Sequence, residues 1–324
     1  MAICALLFVV ALALPLFAGD YLVSVMVLVL YFAYVGQAWN VMMGFAGQLS
    51  LGHSLYVGVG AYVAAALFVR DGIPPALGAI AAIVVCAAFG AVIGFLAFRF
   101  SISGVYFALL TIAFAEFCRI GFDHLTWVGA SGGLFVPVAE RSHSDLLNLR
   151  GSPTMFYYLM LALTIAAVLL CRMLLKSRIG YYWLAIREDQ EAAQSLGIDV
   201  FRYKMLAVVL SAAMTALGGV FFAFYYNVLF PEEIFSISRS VELIIGPIIG
   251  GIGTLVGPLI GALVLQVLAE GLRSLTDALG WQVPGLQLVF YGFCLMAVII
   301  FLPHGIWPGL ARRLRLGEQF RSGS

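Results

Sequence analysis

Apolar residues run along this chain in blocks about 20 residues long, the length that crosses the hydrocarbon core of a bilayer as a helix. On that template the blocks Ala2–Ala18, Tyr21–Met43, Ser54–Val69, Pro75–Phe98, Val105–Gly121, Pro153–Leu175, Tyr203–Tyr226 and Pro284–Leu302 each predict a membrane span. A further apolar region, Ser240–Leu272, is punctuated by Gly246-Pro247, Gly250-Gly251, Gly253 and Gly257-Pro258. One straight helix does not tolerate that sequence. It predicts two helices, about Arg239–Ile249 and Thr254–Leu272, joined by a glycine-rich hinge. A second break, "MGFAGQLSLGHS" (Met43–Ser54), divides an apolar stretch too long for one span. It is either a tight turn at the membrane surface or non-helical backbone surrounded by protein or a water-filled cavity. The expected fold is an all-α polytopic membrane protein, a single domain over residues 1–324, with about 8–10 transmembrane helices and two Gly/Pro-broken segments.

The two breaks share a weak likeness. Gly44-x-x-Gly47-x-Leu49 matches Gly250-x-x-Gly253-x-Leu255. An internal pseudo-repeat explains this, and so does chance agreement in a chain with 35 glycines.

Composition agrees with the hydropathy pattern. The chain is 63% hydrophobic and 10% charged, against about 45–50% and 25% in soluble domains. Membrane lipid is therefore the expected surrounding, and a net charge of +1 gives a nucleic-acid partner no footing. The five cysteines are far apart and form no C-x-x-C, so they read as small buried hydrophobes. The first apolar block has no Lys or Arg before it, as a signal peptide would, and reads as a retained membrane segment.

Lys and Arg set sidedness. The segment 176–202 and its flanks carry Arg172, Lys176, Arg178, Arg187, Arg202 and Lys204, and the tail 303–324 carries Arg312, Arg313, Arg315 and Arg321. Both are expected in the cytoplasm, the C-terminus included. The region 240–272 must then cross an even number of times.

Catalytic signals are absent. The only lysines, Lys176 and Lys204, do not follow a glycine, so there is no phosphate-binding Gly-Lys-[Ser/Thr] loop. There is no H-E-x-x-H or S-x-x-K, and the four histidines are scattered. No catalytic residue, metal site or cofactor is expected in this chain. Ionisable groups within the spans are few: Glu116 with Arg119 one turn later, and Glu242 with Arg239 one turn earlier. Such i,i+3 pairs lessen the cost of charge in a membrane. Glu116 is either a structural pair at the interface or a residue of the path or of a subunit contact. So few acids make a poor proton relay, and energy for uphill transport is expected to enter from elsewhere.

One polar island stands out: "REDQEAAQSLGI", Arg187–Ile198. Its composition predicts a helix over Glu188–Leu196, with acids in its first turn and Gly197 as the residue that ends it. Ala192, Ala193 and Leu196 predict a small apolar stripe suited to a partner's groove. An ordinary solvated loop helix is the alternative.

Here the residues resemble a known family. Glu191-Ala192-Ala193, with Gly197 after three more residues, resembles the EAA loop with which ABC-importer permeases dock on their ATPase. "LAIREDQEAAQSLGIDVFRYKMLAVVLSAAMTALGG" (Leu184–Gly219), "WNVMMGFAGQLSLGHSLYVGVGAY" (Trp39–Tyr62), "SGVYFALLTIAFAEFCRI" (Ser103–Ile120) and "IIGGIGTLVGPLIGAL" (Ile248–Leu263) resemble, in order, the LivM-type permease subunit of branched-chain amino-acid importers. The resemblance implies a bacterial or archaeal inner-membrane importer. It implies a second, LivH-type permease, two cytoplasmic ATPase subunits and an extracytoplasmic substrate-binding protein. Arg187, Glu188, Glu191, Ala192, Ala193, Leu196 and Gly197 would form the ATPase-docking element. Asn40, Gly44, Gly47, Ser50, Gly52, His53, Glu116, Gly250, Gly251 and Gly253 are the expected pathway residues. Urea and short-chain amide importers use similar permeases. The loop "WVGASGGLFVP" (Trp127–Pro137) keeps Gly132-Gly133 but otherwise departs from the family's usual T-G-G-x-x-G, whereas Glu116-x-x-Arg119 favours an amino acid. A stand-alone carrier and a membrane enzyme are the rivals from other classes.

Overall fold

The computed structural model describes residues 11–137, 148–278 and 305–313, with scattered positions between 285 and 300. Residues 11–17 are helical. The elements that follow are α1 (Asp20–Asn40), α2 (Ser54–Asp71), α3 (Pro75–Arg99), α4 (Val105–His124), α5 (Pro153–Lys176), α6 (Arg178–Glu188), α7 (Gln190–Ser195) and α8 (Val200–Tyr226). The chain continues as α9 (Pro231–Ile234), α10 (Ile237–Gly250), α11 (Gly257–Ala278) and α12 (Ile306–Arg313). Two short strands, β1 (Leu134–Phe135) and β2 (Val228–Leu229), pair antiparallel.

Seven of these segments are long and apolar enough to cross a membrane: Asp20–Phe45, α2, α3, α4, α5, α8 and α11. The chain is an all-α, multi-pass membrane protein. Predicted and observed bounds agree within a few residues for the six spans from Tyr21–Met43 to Tyr203–Tyr226. Ala2–Ala18 and Pro284–Leu302 lie largely outside the described residues, as does most of the tail 303–324. The region 240–272 divides as expected into α10 and α11, with α10 only 14 residues long. Pro247 sits inside α10, and Gly251 carries a φ of 124° at its end. Residue types other than glycine rarely adopt that backbone.

Helix association in a membrane gains little from apolar burial, because lipid is equally apolar, so it rests on close packing and hydrogen bonds. Small residues provide the close packing here. α8 is the central helix, packed against α1, α2 and α3. A Cβ on Gly219 of α8 would collide with the Val57 carbonyl of α2, and one on Gly60 of α2 would lie 2.6 Å from the Ala216 carbonyl oxygen. The same device closes α10 on α11, where Gly250 and Gly261 each face backbone of the other helix.

These contacts predict an asymmetry among glycines. Gly219→Ala should force α2 from α8 and cost about 1–3 kcal/mol, read as a fall in the thermal unfolding midpoint of purified protein in detergent. Gly271→Ala, which meets nothing within 4 Å, should leave the midpoint unchanged. Equal midpoints for the two variants would contradict the close-packing account.

Candidate functional site

Backbone that leaves a helix inside a membrane must find its hydrogen bonds within the protein. At the first break α1 passes into a π-helical turn, Val41–Phe45, and then into irregular chain up to α2. Several of its backbone groups are met by side chains. Trp39 Nε1 donates to Ser50 O at 2.9 Å. The amides of Leu51 and Gly52 donate to the Thr111 hydroxyl of α4 at 3.2 and 3.1 Å. Ser54 N donates to Ser240 Oγ of α10 at 3.0 Å, and the two serine hydroxyls bond at 2.7 Å.

His53 is fully buried. Its Nε2 lies 2.8 Å from Thr215 Oγ1, which itself donates to Ser211 O. A hydroxyl has one proton, so Thr215 must accept from His53, and the imidazole carries its proton on Nε2. Ser211 in turn donates to Ala38 O at 2.7 Å. This ladder runs from the break through α8 to α1.

The second break meets the first directly. Asn40 is buried at the end of α1. Its Nδ2 donates to Thr254 O at 2.9 Å, and its Oδ1 accepts from Gly253 N at 2.8 Å. One amide thus replaces the partners that two interrupted helices have lost. The fit excludes a side chain at Gly44, where a Cβ would collide with Asn40 Oδ1 and lie 2.7 Å from Gly253 N. Thr254 Oγ1 ties back to Gly251 O at 2.8 Å and accepts from Gly257 N at 3.0 Å, which shapes the hinge.

Arg187 belongs to the same cluster. One guanidinium nitrogen donates to Gly44 O at 2.6 Å, and the other pairs with Glu188 at 2.9 Å. The same guanidinium would lie 2.6 Å from a Cβ placed on Gly253, and the Arg187 stem packs beside Gly47, whose φ is 70°. The polar island and both glycine-rich breaks, far apart in sequence, are therefore one structural unit.

The island itself differs from expectation in two ways. The predicted helix Glu188–Leu196 is two helices, α6 and α7, interrupted at Asp189. Its carboxylate caps α7 by accepting from Glu191 N at 2.9 Å and Ala192 N at 3.0 Å, the bonding that favours Asp at such a position. Nor do Ala192, Ala193 and Leu196 share one face. Ala193 is buried with Ile186 and Val200 in a small core, whereas Ala192 and Leu196 are exposed. Gly197 ends α7 as expected, at φ 84°, with Gly197 N on Gln194 O and Ile198 N on Ala193 O. The unit is anchored to the bundle by Trp183 Nε1 on Tyr203 O at 2.8 Å and by Lys204 Nζ on the Gln190 side chain. Glu188, Glu191, Ala192 and Leu196 face outward.

Asn40, Gly44, Gly47, Gly253 and Arg187 therefore lie together, with Gly250 and Gly251 just before Gly253. Ser50, Gly52 and His53 form the second half of the first break. Glu116 lies apart from both, on α4, paired with Arg119 through contacts of 2.6 to 3.0 Å. Thr111, Thr215, Ser240 and Thr254 complete the unit. Their sequence signal was slight: single hydroxyls within apolar runs.

The family described as the permease component of branched-chain amino acid transport systems matches residues 21–299. The chain belongs to that family. It is similar to the high-affinity branched-chain amino acid transport system permease protein LivM of Escherichia coli K12, with 27% identity over 96% of this chain and 75% of the relative. The corresponding LivH protein of the same organism is 27% identical over 75% of this chain and 82% of its own length. A nucleoside ABC transporter permease protein, NupC of Lactococcus lactis, is 27% identical over 44% of this chain and 46% of its own. No solved structure matches the chain.

The junction yields a stability prediction. Asn40→Ala removes two bonds and leaves the Gly253 amide and Thr254 carbonyl unmet inside the protein, at a cost of about 2 kcal/mol or more. Amide hydrogen exchange at Gly253 should accelerate at least tenfold, measured by mass spectrometry. Native exchange at Gly253 in that variant would rule out the asparagine bridge as the closure of the two breaks.

Proposed function

We propose that this chain is one of two permease subunits in an ATP-driven importer of the inner membrane, carrying branched-chain or other apolar amino acids. A LivH-type permease would be its partner, two cytoplasmic ATPases would dock on α6 and α7, and an extracytoplasmic binding protein would deliver the solute. The carboxyl terminus and Arg187 would face the cytoplasm, as the Lys and Arg distribution favours. ATP hydrolysis belongs in this reading to the partner subunits.

The observation that carries it is the Arg187 bond to Gly44 O. A docking element resting on the outside of a bundle can move without consequence. This one is joined to the point where two helices are interrupted, and where the chain is least bound by its own helical ladder. A push on the outward face of α7 would reach the Gly44–Gly253 contact through rigid, capped structure. The two breaks would act as the closure at the cytoplasmic side of the path. The relatives named for branched-chain amino acids support the solute class, and the nucleoside relative supplies the competitor to test.

The experiment is co-purification with candidate ATPase and permease subunits, followed by solute-stimulated ATP hydrolysis in liposomes. Leucine or a similar amino acid should stimulate hydrolysis and a nucleoside should not. Net uptake by this chain alone, without ATPases, would overturn the reading. Within it, Arg187→Ala should preserve ATPase association but lower amino-acid uptake at least tenfold. Gly197→Pro combined with Glu191→Lys should insert normally yet lose the ATPases. Retained coupling in the double variant would reduce the element to a passive loop.

A further inference from the structure

The other end of the bundle holds a different kind of feature. α8 is 27 residues long, about 40 Å at 1.5 Å per residue. The α6–α7 unit lies at its start, and Tyr225 and Tyr226 at its finish. There a chamber of about 360 Å³ opens between α1, α8, α10 and α11, within the range of roughly 300–1,000 Å³ for small-ligand sites. Tyr21, Ser24 and Tyr225 also line an adjoining chamber of about 400 Å³.

Its lining combines two kinds of side chain. Val25, Leu28, Phe32 and Ala269 make an apolar side. The lining also holds two ion pairs, Arg239–Glu242 at 2.7 Å on α10 and Glu270–Arg273 at 3.6 Å on α11. Arg239 lies over the Phe222 ring at 5.1 Å from its centroid. Tyr31 packs on that same ring, and its hydroxyl is buried with no hydrogen-bond partner. The Tyr21 hydroxyl donates to Glu270.

Ion pairs in a membrane protein commonly join helices. These do not: the four pairs among the described residues each lie within one helix. Two of them nevertheless face one cavity from different helices. Two arginines and two glutamates give that cavity both signs of charge and no net charge. A net anion or cation gains nothing from such a balance. A small molecule carrying separated, opposite charges can pair with both signs, and the apolar wall can receive its side chain. The looser Glu270–Arg273 pair leaves Arg273 donors for a carboxylate, and Glu242 can accept from an ammonium group.

We propose that this chamber is a binding site for the zwitterion of an apolar α-amino acid, held after its release from the binding protein and before passage. The inference rests on the importer reading above and adds the residues that recognise the solute. The test uses the assembled importer in liposomes loaded with ATP. Recovery of the complete complex from membranes serves as the control for folding. Arg273→Gln and Glu242→Gln should each lower the maximal rate of leucine uptake about tenfold, with the half-saturating concentration of loaded binding protein within about twofold of native. The exchange Glu270→Arg with Arg273→Glu keeps an i,i+3 pair but reverses its order, and should remain as slow as the single variant. Recovery of the native rate by the exchange, or native rates in both single variants, overturns the site while leaving the importer intact. Nucleoside uptake without leucine uptake by the native complex overturns both.

Discussion

The amide of Asn40 is the interaction on which the rest of the structure depends. Two helices stop inside the bundle, and each leaves backbone groups that lipid cannot satisfy. Asn40 answers both with one side chain, accepting from Gly253 N and donating to Thr254 O. No apolar residue could replace it. Because the amide is short and buried, the two breaks must come close, and Gly44 must carry no side chain. The position of α1 against α10 and α11 follows, and with it the pocket into which Arg187 reaches.

That arrangement explains why the polar island lies where it does. A long arginine stem can lie along protein while its head finds a carbonyl, and Gly44 offers one freed by the π-helical turn. The head also keeps Glu188, so part of its charge stays at the surface. Arg187 is thus shared between outside and inside. Two caps and a small core hold the rest of the element, so α6 and α7 keep a fixed shape although each is short. The break at Asp189 allows the chain to turn without losing the hydrogen bonds of either helix.

Hydropathy made the spans legible, because in lipid a helix needs little beyond length and apolar content. Glycine and proline made the two breaks legible, since the φ of 124° at Gly251 and the ring of Pro247 are local properties. The end of α7 at Gly197 was legible for the same reason. The meeting of the breaks was not. The contact between Gly44 and Gly253 is set by tertiary packing, and the weak likeness between their sequences carries no distance. The face of Ala193 was misjudged because adjacent helical residues point about 100° apart, so Ala193 turns inward while Ala192 and Leu196, four residues apart, stay exposed. Asn40 was the nearest thing to a signal, a lone amide before a glycine-rich run, but its partners lie more than 200 residues away.

The polar groups of this protein divide their work. Many of the buried bonds between elements are made by hydroxyls, amides and backbone carbonyls: Ser211 on Ala38, Tyr34 on Met214, Ser54 with Ser240, Tyr62 on Leu229. These groups are neutral, so they can be buried at modest cost when paired. Charges are instead closed into pairs along single helices, which lets each helix enter the membrane with its charge already matched. Pairs of that kind contribute little to holding helices together, and are free to line water. An importer needs one end that admits its solute and one that is shut. In this bundle the amide of Asn40 closes the junction of the two breaks, where Gly44 and Gly253 meet and leave no room for a Cβ, and Arg187 adds its bond there. Two charged pairs gather at the opposite end of α8, around open space. Separating the two kinds of polar group allows one small fold to be sealed at one end and receptive to a zwitterion at the other.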